Sequence, residues 1–199
     1  DNSKIAPFLM DQIDVAGASA SDSKNPPHGR SMAEAILRSA DFSSQSKAKL
    51  SILPINVYGP NSQANTYDVA AGVRRAIQAG AKIVNLSLGS ESPSPLLAQV
   101  IQQGKAQDVL FVAAAGNTPS TNPTYPAANP DVLAVTASDR SGSLASYANR
   151  GDFVDVIAPG STVFENLSHV IVTSGASTGA EVAGPFAARW PKVPLSFLF

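Results

Sequence analysis

The sequence predicts an α/β fold of three layers, with a mostly parallel central sheet and helices on both of its faces. Strand-like and helix-like segments alternate along the chain, which is typical of a doubly wound parallel sheet. Residues 109–115, VLFVAAA, form a continuous apolar run, as expected of a strand that is covered on both faces. The 199 residues, of which 44% are hydrophobic, suffice for one domain with a sizeable core.

Turn and cap residues place the first elements. Residues 50–58 form a predicted strand that Pro54 interrupts, an irregularity that suits an edge or a bulge. Asn65 and Thr66 can cap a helix that ends at Gly80, and residues 82–88 are the next predicted buried strand. The apolar residues of that helix fall on one face, and they are Val69, Val73 and Ile77.

The second half continues the same alternation. Ser94 followed by Pro95 marks a helix start, and Gly104 is predicted to end that helix. Its apolar stripe consists of Leu96, Leu97, Val100 and Ile101. The strand at 109–115 follows, and helix returns from Ser177. Further short β-rich runs lie at 132–137, 154–157 and 170–173, and loops of the same domain lie at 17–27, 118–130 and 160–168.

Composition excludes several classes of partner and site. A formal net charge of −1 offers no electrostatic footprint for nucleic acid or an anionic membrane. The chain has no cysteine, so it has neither a disulfide framework nor a thiolate metal site. No apolar stretch is long enough to span a bilayer, and no signal peptide opens the chain. The expectation is a soluble, already processed product.

Asn117 is the first candidate functional residue. It follows the apolar strand at 109–115, and Gly116 lets the backbone turn sharply as that strand ends. Its amide is therefore predicted to lie over the carboxyl edge of the sheet, where open α/β sheets place their ligands. An enzyme of acyl transfer needs such a fixed donor for its oxyanion, although an Asn after Gly also serves simply as a turn residue.

Several short motifs follow one another in a characteristic order. They are HGRSMAEAIL from His28, VNLSLGS at 84–90, AAAGN at 113–117, YPA at 125–127, IAPG at 157–160 and SGAS at 174–177. In this order they resemble the subtilisin-like serine proteases, the subtilases. The resemblance runs from the first residue to about Ala188. It implies a single subtilase-like catalytic domain over residues 1–199 that lacks the family's first core strand and its usual C-terminal elements.

The resemblance also implies a catalytic triad. Ser177 would be the nucleophile, His28 the general base and acid, and Asp1 the carboxylate that orients the imidazole. Asp14 is the runner-up for that carboxylate, because no strand precedes Asp1 to hold it. Asn117 and the backbone N–H of Ser177 would stabilise the oxyanion. The structural alternatives are that Ser177 only caps a helix and that Asp1 is a frayed end.

The segment around Ser177 departs from the family pattern. Residues 175–184, GASTGAEVAG, are one residue shorter than the corresponding family motif. Alignment on residues 182–184 would put Ala176 at the nucleophile position and predicts an inactive protein. Alignment on Ser174 and Gly175 puts Ser177 there. We prefer the second register, because the Gly-Xaa-Ser turn defines the position of the hydroxyl.

The resemblance further implies how a substrate binds. An extended peptide would add as a strand beside Leu86, Ser87, Leu88 and Gly89. Ala113, Ala114 and Ala115 would form one wall of the specificity pocket next to Gly116, although alanines that pack a central strand explain this run equally well. Many subtilases bind structural calcium, but the loop at 38–49 lacks the family's usual calcium pattern. The sequence therefore predicts no metal site and no cofactor.

These observations predict a serine endopeptidase that acts on peptide or protein substrates. By the resemblance alone it is expected outside the cell or in the periplasm, and a second chain that completes the fold is an open alternative. One rival hypothesis is a catalytically inactive, peptide-binding subtilase-like protein. A serine esterase is less favoured, because the chain has no Gly-Xaa-Ser-Xaa-Gly elbow and that fold orders its triad differently.

Overall fold

The structure, a computed structural model, describes residues 5–17, 28–42, 50–61 and 63–160. Strands and helices alternate as predicted as far as β4. The elements are a 3-10 helix Ala6–Phe8, β1 Ile13–Asp14, α1 His28–Phe42, β2 Ile55–Asn56, α2 Thr66–Gln78, β3 Ile83–Leu86, α3 Pro95–Lys105, β4 Leu110–Ala114, β5 Leu133–Ser138 and β6 Val156–Pro159. The predicted strand at 170–173 and the helix from Ser177 lie outside the described residues.

The described strands form two sheets. β1 and β2 make a two-stranded sheet, while β3, β4, β5 and β6 make a four-stranded sheet in chain order. Every pairing is parallel, so the carboxyl ends of β3 to β6 meet at one edge of their sheet. That edge is where an open α/β sheet binds its ligands.

The predicted interruption of the first strand at Pro54 is confirmed. The Ile52 N–H donates to the Phe8 carbonyl at 2.8 Å, and the Ile13 N–H donates to the Pro54 carbonyl at 3.0 Å. Pro54 itself has no N–H to donate, and β2 comprises only Ile55–Asn56. The apolar run at 50–58 is therefore a short, irregular pairing and not a full strand.

The predicted starts of α2 and α3 are confirmed. Asn65 Oδ1 accepts from the Asp68 N–H at 2.9 Å, and Ser94 Oγ accepts from the Leu97 N–H at 3.2 Å. Each side chain thus satisfies a backbone donor that the first helical turn leaves unpaired. α1 likewise begins at His28, as the motif order predicts.

The prediction that Gly104 ends α3 is wrong. α3 continues to Lys105, and Gly104 is buried where this helix packs on β4. A Cβ at position 104 would come within 2.5 Å of Phe111 Cζ and 2.8 Å of Ile77 Cδ1. The glycine is thus required for close approach of helix and strand. Within the predicted apolar stripe, Leu96 is 37% exposed, whereas Leu97, Val100 and Ile101 are buried.

The main core lies where α2 and α3 pack on the strands. It includes Phe111 and Ile101, which are fully buried. β3 is less buried than predicted, since Val84 and Leu86 face this core but Ile83 is 51% exposed. A second, smaller cluster on β4, β5 and β6 centres on Leu110 and Leu133.

None of the helices in the part of the chain that the structure describes is both long enough and apolar enough to cross a membrane.

Candidate active site

The ends of β3 and β4 lie side by side at the carboxyl edge of the four-stranded sheet. Leu86, the last residue of β3, pairs in register with Ala113 of β4. The two predicted substrate-binding segments, residues 86–89 and 114–116, therefore leave the sheet next to each other. Ser87 and Leu88 are partly buried, and Gly89 is exposed.

A single loop ties these two segments together. Ser90 and Tyr125 exchange backbone hydrogen bonds, with the Ser90 N–H donating at 2.8 Å and the Tyr125 N–H at 2.7 Å. The Thr124 hydroxyl donates to the Ala115 carbonyl at 2.6 Å. Gly89 lies so close to this loop that a Cβ would come within 3.2 Å of the Tyr125 carbonyl oxygen. The peptide bond that follows Tyr125 is cis.

The three consecutive alanines at the end of β4 occupy different environments. Ala113 and Ala115 are 1% and 0% exposed, and Ala113 belongs to the main core. Ala114 is exposed. Core packing thus accounts for Ala113, and Ala114 is the alanine of this run that faces outward at the sheet edge.

Asn117 lies just beyond β4 and is exposed. Gly116 before it has a φ of 113°, a conformation that L side chains rarely adopt. After Asn117, the Thr118 N–H donates to Asn149 Oδ1 at 2.9 Å, and the Asn149 N–H donates to the Gly116 carbonyl at 3.0 Å. The turn that presents the Asn117 amide is therefore fastened on both sides to Asn149.

Sequence reasoning did not single out Asn149. It lies in the segment LASYANRGD at 144–152, which carries no periodic or catalytic signal that distinguishes this asparagine. Asn149 is fully buried, and its carbonyl accepts a hydrogen bond from the Thr136 hydroxyl of β5. Only the tertiary structure brings it to the turn after β4.

The proposed triad falls mostly outside the described residues. Neither Asp1 nor Ser177 is among them, and of His28 the structure describes the backbone, which starts α1. Asp14, the runner-up for the carboxylate, is exposed at the end of β1. Its Oδ1 accepts hydrogen bonds from Asn56 Nδ2 at 2.9 Å and from Gln12 Nε2 at 2.8 Å.

A carboxylate also follows β5 in a surface loop. Asp139 Oδ1 accepts hydrogen bonds from the Ser141 hydroxyl at 2.7 Å, the Ser141 N–H at 2.8 Å and the Ser143 N–H at 3.1 Å. These bonds, that of the Ser141 hydroxyl first, hold the pKa of Asp139 below its ordinary value. Within the described ranges, no group of three or more His, Cys, Asp or Glu residues is placed to hold a metal ion.

Comparison with known proteins assigns a family to this arrangement. Residues 3–188 match the model of the Subtilase family. Thermitase from Thermoactinomyces vulgaris is 30% identical over 161 residues, which cover 81% of this chain and 57% of thermitase. Subtilisin BL from Lederbergia lenta is 36% identical over 109 residues, which cover 55% of this chain and 40% of that protein.

The fold is likewise shared with solved structures. A psychrophilic subtilisin-like protease from Pseudoalteromonas sp. AS-11 superposes with a TM-score of 0.56 at 16% identity, over 80% of this chain and 43% of that one. At this identity the likeness speaks for the fold alone, and it agrees with the predicted three-layer α/β arrangement around a parallel sheet. The chain spans about half the length of the curated relatives it matches.

Proposed function

The chain belongs to the subtilase family, and on that premise we propose that it is a serine endopeptidase that cleaves peptide bonds through an acyl-enzyme. The observation that supports this most directly is the placement of Asn117. Its exposed amide follows a positive-φ glycine at the carboxyl edge of the sheet, beside the end of β3. We propose that from this position the amide acts as a fixed donor that stabilises the charge of a tetrahedral intermediate.

In the proposed reaction, Ser177 Oγ attacks the scissile carbonyl while His28 takes the hydroxyl proton. The carbonyl oxygen gains negative charge, and the Asn117 amide and the Ser177 N–H donate to it. When the intermediate collapses, His28 returns the proton to the leaving amine, and a water molecule then releases the acyl group in the same way. Asp1 orients the imidazole and stabilises its charged form. The order of the motifs supports these assignments.

We propose that the substrate lies extended along residues 86–89. Short backbone pairing between Ser90 and Tyr125 fixes the far end of this segment, and strand addition to such a segment supplies affinity through main-chain hydrogen bonds. The exposed Ala114 would face the side chain next to the cleaved bond. Peptides and proteins are thus the proposed substrates, and the proposed chemistry uses side chains and the Ser177 N–H, without a cofactor.

The family also supports a location outside the cell or in the periplasm, which we propose for this chain. A second chain that completes the fold stays a proposal as well.

The competing proposal is a peptide-binding member of the family without activity. The specific observation in its favour is the motif at 175–184, which is one residue short and permits a register with Ala176 at the nucleophile position. A serine esterase is the third candidate. An oxyanion donor at this turn would stabilise the intermediate of peptide hydrolysis and of ester hydrolysis alike. Activity on peptides must therefore be compared with activity on esters.

A fluorophosphonate probe tests the nucleophile. The probe should label Ser177, as mapped by mass spectrometry, and His28→Ala should abolish labelling because the hydroxyl then lacks its base. The matched control is His169→Ala, which alters the other histidine of the chain and should label normally. A folded sample that is not labelled would favour the inactive peptide binder. Casein digestion against a panel of short-chain esters then separates protease from esterase.

The oxyanion role has a separate test. Asn117→Ala should lower kcat by about 10²–10³-fold, the loss typical of removing one oxyanion donor in acyl-transfer enzymes, with little change in KM. Asn122→Ala is the matched control, because Asn122 is an exposed residue of the same loop and should leave kcat unchanged. An equal, small effect of both variants would overturn the assignment.

A further inference from the structure

We propose that Asn149 is a positioning residue that holds the Asn117 amide in place, an inference that rests on the proposed oxyanion role of Asn117. The proposal requires no contact between Asn149 and the nucleophile or the substrate. Asn149 acts on the turn that carries the donor.

The hydrogen bonds of Asn149 bracket Asn117 along the chain. The backbone N–H of Asn149 donates to the carbonyl of Gly116 at 3.0 Å, and its side-chain Oδ1 accepts from the N–H of Thr118 at 2.9 Å. Because the residues on both sides of Asn117 are bonded to one partner, the backbone of Asn117 has little freedom to shift or rotate relative to Asn149.

Asn149 is itself fixed more firmly than the turn that it holds. It is fully buried, whereas Asn117 and Thr118 are exposed. Its carbonyl accepts from the Thr136 hydroxyl, and Thr136 lies within β5, which pairs with both β4 and β6. Through Asn149 and Thr136, the turn is therefore held in place relative to β5, an inner strand of the sheet.

Steric contact adds to the hydrogen bonds. The Asn149 amide occupies the space that a side chain at position 116 would need, since a Cβ there would come within 2.6 Å of Asn149 Nδ2. Nδ2 is buried and has no hydrogen-bond partner in the described part of the chain. The two interactions that this side chain makes with the turn are therefore the hydrogen bond from the Thr118 N–H and the packing against Gly116.

This arrangement bears on catalysis because an oxyanion donor must be held within about 0.5 Å of its working position. A misplacement of about 1 Å lowers the rate by about 10²-fold in enzymes. Asn149→Ala removes the acceptor for the Thr118 N–H and the wall against Gly116. We therefore expect kcat to fall by about 10- to 100-fold while KM stays within about twofold.

The decisive experiment is a double-mutant cycle with Asn117→Ala, with kcat and KM measured on one peptide substrate. If Asn149 acts through Asn117, then Asn149→Ala lowers kcat in the parent chain but causes no further loss in the Asn117→Ala background. The matched control is Asn129→Ala, another buried asparagine whose Oδ1 accepts from the Asp131 N–H at 2.9 Å. It should leave kcat unchanged. Equal losses in both backgrounds, or an equal loss in the control, would overturn the proposal.

Amide hydrogen exchange tests the same inference without activity, and so separates it from the proposed function. In Asn149→Ala the Thr118 N–H should exchange at least about tenfold faster, because its acceptor is gone. The Ala115 N–H, which donates to the Val135 carbonyl at 2.8 Å, should keep its rate. Acceleration of both amides would indicate general loosening and contradict a positioning role. If the parent chain cleaves nothing, the protease proposal fails, and this measurement alone decides the role of Asn149.

A second variant covers the case in which Asn149→Ala does not fold. Thr136→Val keeps the shape of the side chain but removes the hydroxyl that donates to the Asn149 carbonyl. It should reduce kcat by a smaller factor, again with no further effect in the Asn117→Ala background, and an additive loss would contradict the inference.

Discussion

Two asparagines, Asn56 and Asn149, each fasten a turn that follows a strand, but they do so in different surroundings. Asn56 Nδ2 donates to Asp14 Oδ1 at 2.9 Å and to the Gly17 carbonyl at 3.0 Å, and its Oδ1 accepts from the N–H groups of Tyr58 and Gly59. It is only partly buried. Asn149 is fully buried, and its Nδ2 lacks a partner among the described residues.

The comparison teaches that the number of hydrogen bonds is a poor guide to the importance of such a residue. Water can take over the exposed bonds of Asn56, those to Asp14 and Gly17, so the net contribution of these two bonds to stability is small. Removing a fully buried side chain instead leaves a cavity in the packed interior. Asn56 makes more side-chain bonds, but Asn149 should be the harder residue to replace.

The largest expected effect comes from Gly116→Ala. Its φ of 113° and the contact with Asn149 Nδ2 should together lower the free energy of unfolding by about 2–5 kcal/mol, through backbone strain and overpacking. Urea denaturation measures this. Gly142→Ala is the matched control, since Gly142 also has a positive φ, of 83°, but a Cβ at that position would meet nothing within 4 Å. Equal losses would show that the contact with Asn149 costs nothing.

Asn149→Ala should come next, with a loss of about 1–3 kcal/mol in unfolding free energy, because the fully buried side chain leaves a cavity and the Thr118 N–H loses its acceptor. The same variant should relieve the contact with position 116. In the Asn149→Ala background, Gly116→Ala should therefore cost less than in the parent chain, as measured by urea denaturation of all four proteins. Strict additivity would contradict the interlocking of the two residues.

Asn56→Ala should cost about 1 kcal/mol, because solvent replaces the two exposed bonds, to Asp14 and Gly17, and only the two part-buried bonds from Tyr58 and Gly59 are lost. Thermal and urea unfolding provide the measurement. Gln12→Ala, which removes one exposed bond to Asp14, is the control and should be nearly neutral. A loss at Asn56 larger than that at Asn149 would reverse the comparison.

The smallest effect concerns the Asp139 loop at the surface. Ser141→Ala removes the leading cause of the lowered pKa of Asp139, so that pKa should rise toward its ordinary value in an NMR titration. A lowered pKa stabilises the folded state above the ordinary aspartate pKa of about 3.9, and this contribution is lost as pH falls through the folded pKa. Above that pH the variant should therefore be less stable than the parent chain, and the difference should disappear as the pH falls through the folded pKa. Ser146→Ala is the control, and an unchanged pKa in Ser141→Ala would contradict the assigned cause.

Local signals in the sequence predicted the starts of the helices and the break in the first strand. The caps at Asn65 and Ser94 and the break at Pro54 depend on neighbouring residues, so the sequence alone revealed them. Gly104 was misread as a helix end, because nothing local distinguishes a terminating glycine from one that admits Phe111. Leu96 belongs to the predicted apolar stripe but is 37% exposed, because helical periodicity does not say how wide the covered face is.

In the candidate site, too, local features could be predicted from the sequence, whereas contacts between distant residues could not. The turn at Gly116 and Asn117 is local and could be predicted from the strand that precedes it. The contact between Thr118 and Asn149 joins residues 31 apart in sequence, and no composition or period encodes such a pairing. The roles proposed for Asp1, His28 and Ser177 rest on motif order and stay predictions.

The contact of Gly104 with Phe111 sets a rule for how related sequences can vary. Because the ring of Phe111 fills the space beside the helix backbone, a relative with a larger residue at position 104 should carry a smaller one at position 111. The two sites are expected to change together in evolution, and a family alignment that pairs a bulky residue at the first with an aromatic at the second would indicate a shifted helix.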